Sequence, residues 1–124
     1  MLKNAIAVLA AVALSLGPAF AQEPLPKKVG DCVTTTVKSI GTRLDGVADS
    51  GSAIEYADGL YQVSYDIIPE ITASKAGDPV KLCLTELPQD CPPGDDRGKV
   101  YKATNLRTHR IWVAPDSEHS CGGA

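Results

Sequence analysis

The placement of four cysteines constrains this 124-residue chain more than any other feature. Cys32, Cys83, Cys91 and Cys121 form an even set with no CxxC spacing. In a small exported chain such a set is typical of a disulfide framework, whereas zinc sites and thioredoxin-like redox pairs favour closely spaced cysteines. We therefore expect two disulfides, with no metal, no cofactor and no free thiol nucleophile.

The first 21 residues have the pattern of a secretory signal peptide. Lys3 is followed by an apolar run from Ala5 to Leu16 and then by Ala19-Phe20-Ala21, a small-x-small cleavage site. The run is shorter than the roughly 20 apolar residues that a permanent membrane helix needs. We expect an exported protein, periplasmic or extracellular, without a stable membrane anchor.

Three parts are predicted along the chain: a signal peptide over 1–21, a flexible entry segment over 22–31 and a single small β-domain over 32–124. The only Met and the only Phe lie within the signal peptide, so the domain must form its core from aliphatic residues, tyrosines and one Trp. So thin a core favours covalent support. The formal net charge of −3 lacks the basic footprint of a nucleic-acid partner.

Geometry favours one of the three possible disulfide pairings, while loop-closure entropy does not separate them. Cys91 and Cys121 lie almost equidistant from a predicted hairpin turn at residues 105–108, so a bridge would close the base of that hairpin. This leaves Cys32 for Cys83. Pairing Cys32 with Cys83 and Cys91 with Cys121 is therefore preferred, and the alternatives stay open.

Strand patterns run through most of the domain, and no segment shows a helical apolar period. Residues 32–40 are rich in β-branched side chains, and residues 80–85 alternate with Val80, Leu82 and Leu84 inward and Cys83 on the opposite face. Residues 66–77 could hold an edge strand that ends at Pro69. The pattern predicts an all-β, disulfide-stabilised barrel or sandwich of five to seven antiparallel strands, with an OB-like or SH3-like barrel preferred.

A first hairpin is predicted over residues 53–66, with Asp58-Gly59 as a two-residue turn. This register pairs Tyr56 with Tyr61 and Ile54 with Val63, and Tyr65 continues the same face. The opposite face carries Glu55, Gln62 and Ser64. We expect the aromatic and aliphatic face to pack on the core.

A second hairpin, formed by residues 100–104 and 109–113, has apolar groups on both faces. Tyr101 and Trp112 share one face with Lys99, Ala103 and Arg110. Aromatic residues more often serve as core or anchor, so a covered face is the favoured interpretation. The alternative is an exposed aromatic and basic ligand site, whose candidate residues are Tyr101, Trp112, Arg110 and Lys99.

Catalytic and metal-binding patterns are weak. Asp90, Asp95 and Asp96 lack EF-hand spacing, which favours a solvated loop that Arg97 neutralises. His119 follows Asp116, Ser117 and Glu118, but triad residues seldom neighbour one another in sequence, and no nucleophile-elbow pattern surrounds any serine. No catalytic residues are assigned, and we expect that the protein is not an enzyme.

One short stretch resembles a known family. Ser50-Gly51-Ser52-Ala53 followed by Tyr56-Ala57-Asp58-Gly59 is similar to the Ser-Gly and Tyr-Asp-Gly stretch of periplasmic inhibitors of c-type lysozyme. The resemblance covers about ten residues, and the Trp and Lys-Gly segment that follows in that family is missing. It implies a small disulfide-bearing β-barrel that acts as a secreted inhibitor.

The leading hypothesis is a non-enzymatic exported domain that binds an unknown protein or small molecule in the cell envelope. The alternatives are a secreted inhibitor of an envelope-degrading enzyme such as lysozyme, a small hydrolase or metal-dependent enzyme centred on His119, and a purely structural envelope protein.

Overall fold

The computed structural model describes residues 23–123, and the predicted signal peptide therefore lies outside the described residues. Within this part of the chain the secondary structure comprises six strands and one helical turn. In chain order they are β1 (Cys32–Thr42), β2 (Ser52–Tyr56), β3 (Tyr61–Ser64), α1 (Pro69–Thr72), β4 (Pro79–Glu86), β5 (Val100–Asn105) and β6 (Ile111–Pro115). The all-β prediction is confirmed.

All six strands belong to one antiparallel sheet with the order β3-β2-β1-β4-β5-β6. The long strand β1 is central because its first half pairs with β4 and its second half pairs with β2. A register irregularity between Val37 and Ser39 separates the two halves. Bulges of this kind bend a strand, and the sheet curls until β3 approaches β6 as a half-barrel.

The core lies inside the curl and is formed by alternate residues of the strands. Val80, Leu82 and Leu84 are fully buried while Cys83 lies on the outer face, as the alternation in β4 predicted. The core also contains buried side chains of β1, β2, β5 and β6, namely Val37, Ile54, Tyr56, Tyr101 and Trp112. Val63 of β3 is buried as well, but its pairing with Ala53 places it on the outer face.

Both disulfides join the cysteines that the sequence analysis preferred to pair. Cys32 and Cys83 are direct partners in the β1–β4 register, with their Cα atoms 4.0 Å apart. Cys91 and Cys121 are bonded below the β5–β6 hairpin and close a 30-residue separation. All four cysteines of the sequence are therefore disulfide-bonded. Two disulfides in a domain of this size are typical of exported proteins.

The β2–β3 hairpin forms, but its predicted register is wrong by one residue. Ile54 pairs with Gln62 and Glu55 pairs with Tyr61, because the loop has three residues rather than two. The amide of Tyr56 donates to the carbonyl of Leu60, and Gly59 takes a positive φ of 91°. A glycine in this conformation closes three-residue hairpins.

This one-residue shift exchanges the two faces of β3. Gln62 becomes completely buried, whereas Tyr61 and Tyr65 are 38% and 54% exposed. The prediction that both tyrosines pack on the core is therefore wrong. The structure instead places a polar side chain at the point where the curled sheet closes.

Gln62 makes four hydrogen bonds, three of which join β3 to β5 and β6 at the other end of the sheet. Its Nε2 donates to the carbonyl oxygens of Tyr101 and Ala114, both at 2.9 Å. Its Oε1 accepts from Tyr56 Oη at 2.6 Å and from Trp112 Nε1 at 3.0 Å. A side-chain amide offers two N–H donors and an oxygen with two acceptor positions. All four positions of the buried Gln62 amide are therefore hydrogen-bonded.

Two further expectations need correction. The residues around Pro69 form the helical turn α1 rather than an edge strand, with proline near its start and Ile71 in the core. The entry segment was expected to lie apart from the core, but Leu25 packs against it and Pro26 is buried. Within residues 23–123, no helix is long and apolar enough to cross a membrane.

Asp78 anchors the β5–β6 loop to the segment that precedes β4. Its buried carboxylate accepts from Arg107, from Asn105 Nδ2 at 3.0 Å and from the amide of Lys75 at 2.9 Å. Hydrogen bonds from the Arg107 guanidinium hold the pKa of Asp78 well below its usual range. The charged form of Asp78 is therefore the one that the fold stabilises.

We expect Asp78→Asn to lower the free energy of unfolding at pH 7 by about 1 to 3 kcal/mol, because buried charge-assisted hydrogen bonds are lost. A lowered folded pKa means that the carboxylate stabilises fully above its unfolded pKa of about 3.9, and that this contribution is lost as the pH falls towards the folded value. The difference in the free energy of unfolding between wild type and Asp78→Asn should therefore become smaller below about pH 4. Urea unfolding at several pH values measures it, with the exposed Asp49→Asn as control; a gap independent of pH would contradict the assignment.

Candidate binding surface

The four predicted ligand-site residues do not form an exposed face. Tyr101 and Trp112 are buried, with 1% and 4% of their surface exposed, and Trp112 donates to Gln62 inside the barrel. Burial raises the pKa of Tyr101 to about 12. The covered interpretation therefore applies, because the curl of the sheet encloses this face of the second hairpin.

The two basic candidates are not brought together, although Lys99 lines a surface pocket with Tyr101. Lys99 Nζ is 2.7 Å from Asp96 Oδ2 in an ion pair, and Arg110 is exposed at the far end of the hairpin. The hairpin loop spans residues 106–109, one residue later than predicted, since the amide of Asn105 donates to the carbonyl of Arg110. Tyr101 consequently pairs with Ala114, and Trp112 pairs with Ala103.

A different part of the molecule concentrates exposed apolar groups. Ten large apolar side chains are exposed within residues 23–123, and five of them lie in the loop after β1 or along and just after β3. We call these five the hairpin-end surface: Leu44, Val47, Tyr61, Tyr65 and Ile67. Clustered exposed apolar residues are typical of interaction sites, whereas singly scattered ones are not.

The loop of residues 43–51 is held in one shape by its own polar groups. The buried Ser50 hydroxyl accepts from the amide of Leu44 at 3.0 Å and lies 2.7 Å from the carbonyl of Val47. Gly51 has φ of 122°, and a Cβ atom there would lie 2.0 Å from the carbonyl oxygen of Ser64. The stretch that resembles the lysozyme inhibitors therefore shapes the loop that presents Leu44 and Val47.

Arg43 fastens this loop to β3 and to the C-terminal tail. Its Nε donates to the carbonyl of Ser50 at 2.7 Å, and its Nη1 is 3.1 Å from Glu118. The guanidinium carbon lies 4.1 Å from the centre of the Tyr65 ring, in a cation–π contact. Three separate segments of the chain thus meet at one side chain that is only 16% exposed.

A groove opens beside this contact on the outer face of the sheet. It has a volume of about 430 Å³ and is lined by residues 39–45, 53–55 and Tyr61. Gly41 and Ala53 are register partners on its floor. Both are small, so the neighbouring Glu55 and Tyr61 on one side and the loop on the other stand above them as walls. We call this feature the tyrosine groove.

Charged groups surround the tyrosine groove. Burial raises the pKa of Tyr61, and the nearby carboxylates of Glu118 and Asp45 raise it further, while Arg43 acts in the opposite direction. Asp45 is exposed on the loop side of the groove. Glu55 lies on the other side, 3.4 Å from Lys38 Nζ in an exposed ion pair.

His119 contacts the hairpin-end surface rather than a catalytic partner. Its Nε2 is 3.5 Å from Tyr65 Oη, and the two rings are tilted with centroids 6.3 Å apart. The Ser117 hydroxyl donates its proton to the backbone carbonyl of His119 at 2.7 Å and not to the imidazole, which would have to accept it in a Ser–His pair. Among the described residues, no cluster of three or more His, Cys, Asp or Glu side chains could hold a metal ion.

The acidic loop after β4 is internally paired. Asp95 forms a bidentate ion pair with Arg97, whose Nε and Nη2 donate to the two carboxylate oxygens at 2.9 Å each. Asp95 also accepts a hydrogen bond from the amide of Gly122. The Arg97 guanidinium holds the pKa of Asp95 well below its usual range. Arg97 therefore neutralises this loop, as the sequence suggested, and joins it to the tail next to the Cys91–Cys121 bond.

Comparisons with known protein families, with curated proteins and with solved structures give no match for this chain. The candidate surface therefore rests on its own geometry. Sequence analysis missed Arg43, Tyr61 and Tyr65 as surface residues. The turn glycine Gly59 is compatible with a three-residue loop, which places both tyrosines outside, but it does not distinguish that loop from a two-residue turn.

Proposed function

We propose that this protein is a non-enzymatic exported binding domain that engages a protein partner in the cell envelope through the hairpin-end surface. The observation that carries the proposal is the exposure of five large apolar side chains on the loop after β1 and along and just after the edge strand β3, two segments that meet where Arg43 lies over Tyr65 and Gly51 approaches Ser64. Tyrosines are favoured in interfaces because they offer a large rigid contact area with a polar tip.

Rigidity of the surface supports a binding role. Ser50, Gly51 and Arg43 hold the loop through contacts with its own backbone, with β3 and with the tail. A surface that is ordered before binding loses little conformational entropy when a partner arrives. The predicted signal peptide and the two disulfides support an exported location, either periplasmic or extracellular.

The experiment compares two paired variants of residues 22–124 as bait in envelope extract. Leu44→Ser with Tyr65→Ser alters the hairpin-end surface, and Ile111→Ser with Val113→Ser alters the outer face of β6. The pairs are matched, since their side chains are 45% and 54% exposed in the first and 50% and 55% in the second. We expect a partner that wild type and the β6 variant capture and that the first variant loses. Capture by all three, or loss by both variants, contradicts the proposal.

Inhibition of a lysozyme-like enzyme is a second candidate function. The observation that favours it is the position of the resembling stretch, since Ser50 and Gly51 shape the exposed loop and Ala53 forms the floor of the tyrosine groove. The same proteins are added to a c-type lysozyme acting on bacterial cell walls. Slower lysis with wild type and the β6 variant, but not with the Leu44 and Tyr65 variant, supports inhibition, whereas unchanged lysis rules out this enzyme class as the target.

A further inference from the structure

The tyrosine groove has a shape that follows directly from the strand register. Gly41 and Ala53 face each other across β1 and β2, and Ser39 and Glu55 form the next pair on the same outer face. Tyr61 extends that second row on β3. The row of Gly41 and Ala53 is lower than the neighbouring row that contains Glu55 and Tyr61. This difference in height leaves a trough across the sheet, about 430 Å³ in volume.

Arg43, the one arginine that lines the groove, already has partners for its positive charge within the protein. Arg43 is paired with Glu118, donates to the Ser50 carbonyl and lies over the Tyr65 ring. Asp45, in contrast, is exposed at the groove and has no ion-pair partner within 4 Å among residues 23–123. The charge available to a ligand at this side of the groove is therefore negative.

We propose that the tyrosine groove receives a lysine or arginine side chain from a basic protein partner. The aliphatic part of that side chain would lie on Gly41 and Ala53 against the Tyr61 ring, and its charged end would meet Asp45. A trough with small residues on its floor, an aromatic wall and a carboxylate at its rim complements a cation on an aliphatic stem. This inference rests on the proposed binding function and adds the chemistry of the partner.

The wall opposite Asp45 is compatible with the same ligand. Glu55 shares its charge with Lys38 in an ion pair whose side chains are 44% and 63% exposed, so water weakens that pair. The incoming cation could therefore compete with Lys38 for Glu55 at little expense. An acidic ligand, by comparison, would have to approach Asp45 and Glu55 without a free cation in the groove to offset them.

The test uses a tetralysine peptide as the probe, titrated into the isotope-labelled protein of residues 22–124 and followed by amide NMR shifts. We expect saturable shifts in residues 39–45, 53–55 and 61 that weaken as the salt concentration rises. A tetraglutamate peptide of equal length is the matched probe. Equal shifts with tetraglutamate, or tetralysine shifts located elsewhere on the protein, overturn the proposal.

Three variants separate the parts of the proposal. Gly41→Leu fills the trough, and no atom lies within 4 Å of the new Cβ, so the fold is expected to accept it and tetralysine binding to be lost. Asp45→Asn should weaken binding about three- to fivefold, as an exposed ion pair does. Asp49→Asn, an exposed acid of the same loop outside the groove, should not change it. Unchanged binding in Gly41→Leu, or equal effects of Asp45→Asn and Asp49→Asn, would refute the assignment.

Failure of this inference can be told apart from failure of the binding function. If envelope capture depends on Leu44 and Tyr65 while tetralysine does not bind, the binding function stands and the cationic ligand is wrong. If tetralysine binds in the groove but no partner is captured through the hairpin-end surface, the groove chemistry stands and the proposed partner interaction is wrong.

Discussion

Gly51→Ala is expected to lower the free energy of unfolding by about 3 to 5 kcal/mol, the sum of backbone strain and a steric clash. Gly51 has φ of 122°, which residues with a Cβ rarely adopt. The added Cβ would also lie 2.0 Å from the Ser64 carbonyl oxygen and 2.9 Å from the Tyr65 carbonyl carbon. Both contacts are backbone atoms, so β2 and β3 would have to separate to make room.

Gly46→Ala is the control for this experiment. Gly46 belongs to the same loop and has φ of 74°, but no atom lies within 4 Å of a Cβ placed there. Gly46→Ala therefore introduces backbone strain without a steric clash, and it should lower the free energy of unfolding by about 1 to 2 kcal/mol. Urea unfolding measures both variants. Equal destabilisation by the two changes would show that the close approach of β3 to the loop is not what requires glycine at position 51.

Gln62→Met should destabilise the domain by about 2 to 5 kcal/mol, although the two side chains have similar size and shape. Methionine leaves the buried donors of Tyr56 and Trp112 without their acceptor and withdraws the bonds to the carbonyls of Tyr101 and Ala114. A buried donor without an acceptor has lost its hydrogen bonds to water and gains none in return. Since methionine fills the same space, no cavity contributes to the loss of stability.

The matched control is Gln89→Met on an exposed loop, which should change stability by less than about 0.5 kcal/mol. Urea unfolding compares the two variants, and near-ultraviolet circular dichroism reports the packing of Trp112 in the folded state. A Gln62 variant as stable as the Gln89 variant would mean that packing alone holds the ends of the sheet together.

The elements that the sequence predicted well depend on local pattern. In β4 the alternation of Val80, Leu82 and Leu84 against Cys83 specifies one face unambiguously, and β1 is marked by its β-branched run. The disulfide pairing followed from the hairpin that brings Cys91 near Cys121. These inferences needed only residues close together in sequence or related by one turn.

The register of the first hairpin could not be obtained in the same way. Asp58-Gly59 suits a two-residue turn as well as a three-residue loop, and each choice buries a different face of β3. The pattern of apolar residues favoured burial of Tyr61. What decides the outcome is the four-bond environment of Gln62, and that environment exists only after β5 and β6 have folded against it.

The candidate surface was hidden from sequence analysis because its parts are distant in the chain. Arg43 and Glu118 are 75 residues apart, and Tyr65 and His119 are 54 residues apart. No local pattern relates a loop after β1 to a tail beyond β6. Tyr101 and Trp112, by contrast, lie on the two paired strands of one hairpin, and the curled sheet encloses the face that carries them, as the favoured covered interpretation predicted.

Because Gln62 closes the sheet, different parts of the domain should differ in how readily they unfold locally. The strand β4 is paired on both sides and is joined to β1 by a disulfide, so we expect its amide protons to exchange with solvent most slowly. The junction of β3 with β6 depends on one side chain rather than on a backbone ladder. We expect this junction to open before the backbone ladders do, while Arg43 and Ser50 still hold the loop beside β3 in place.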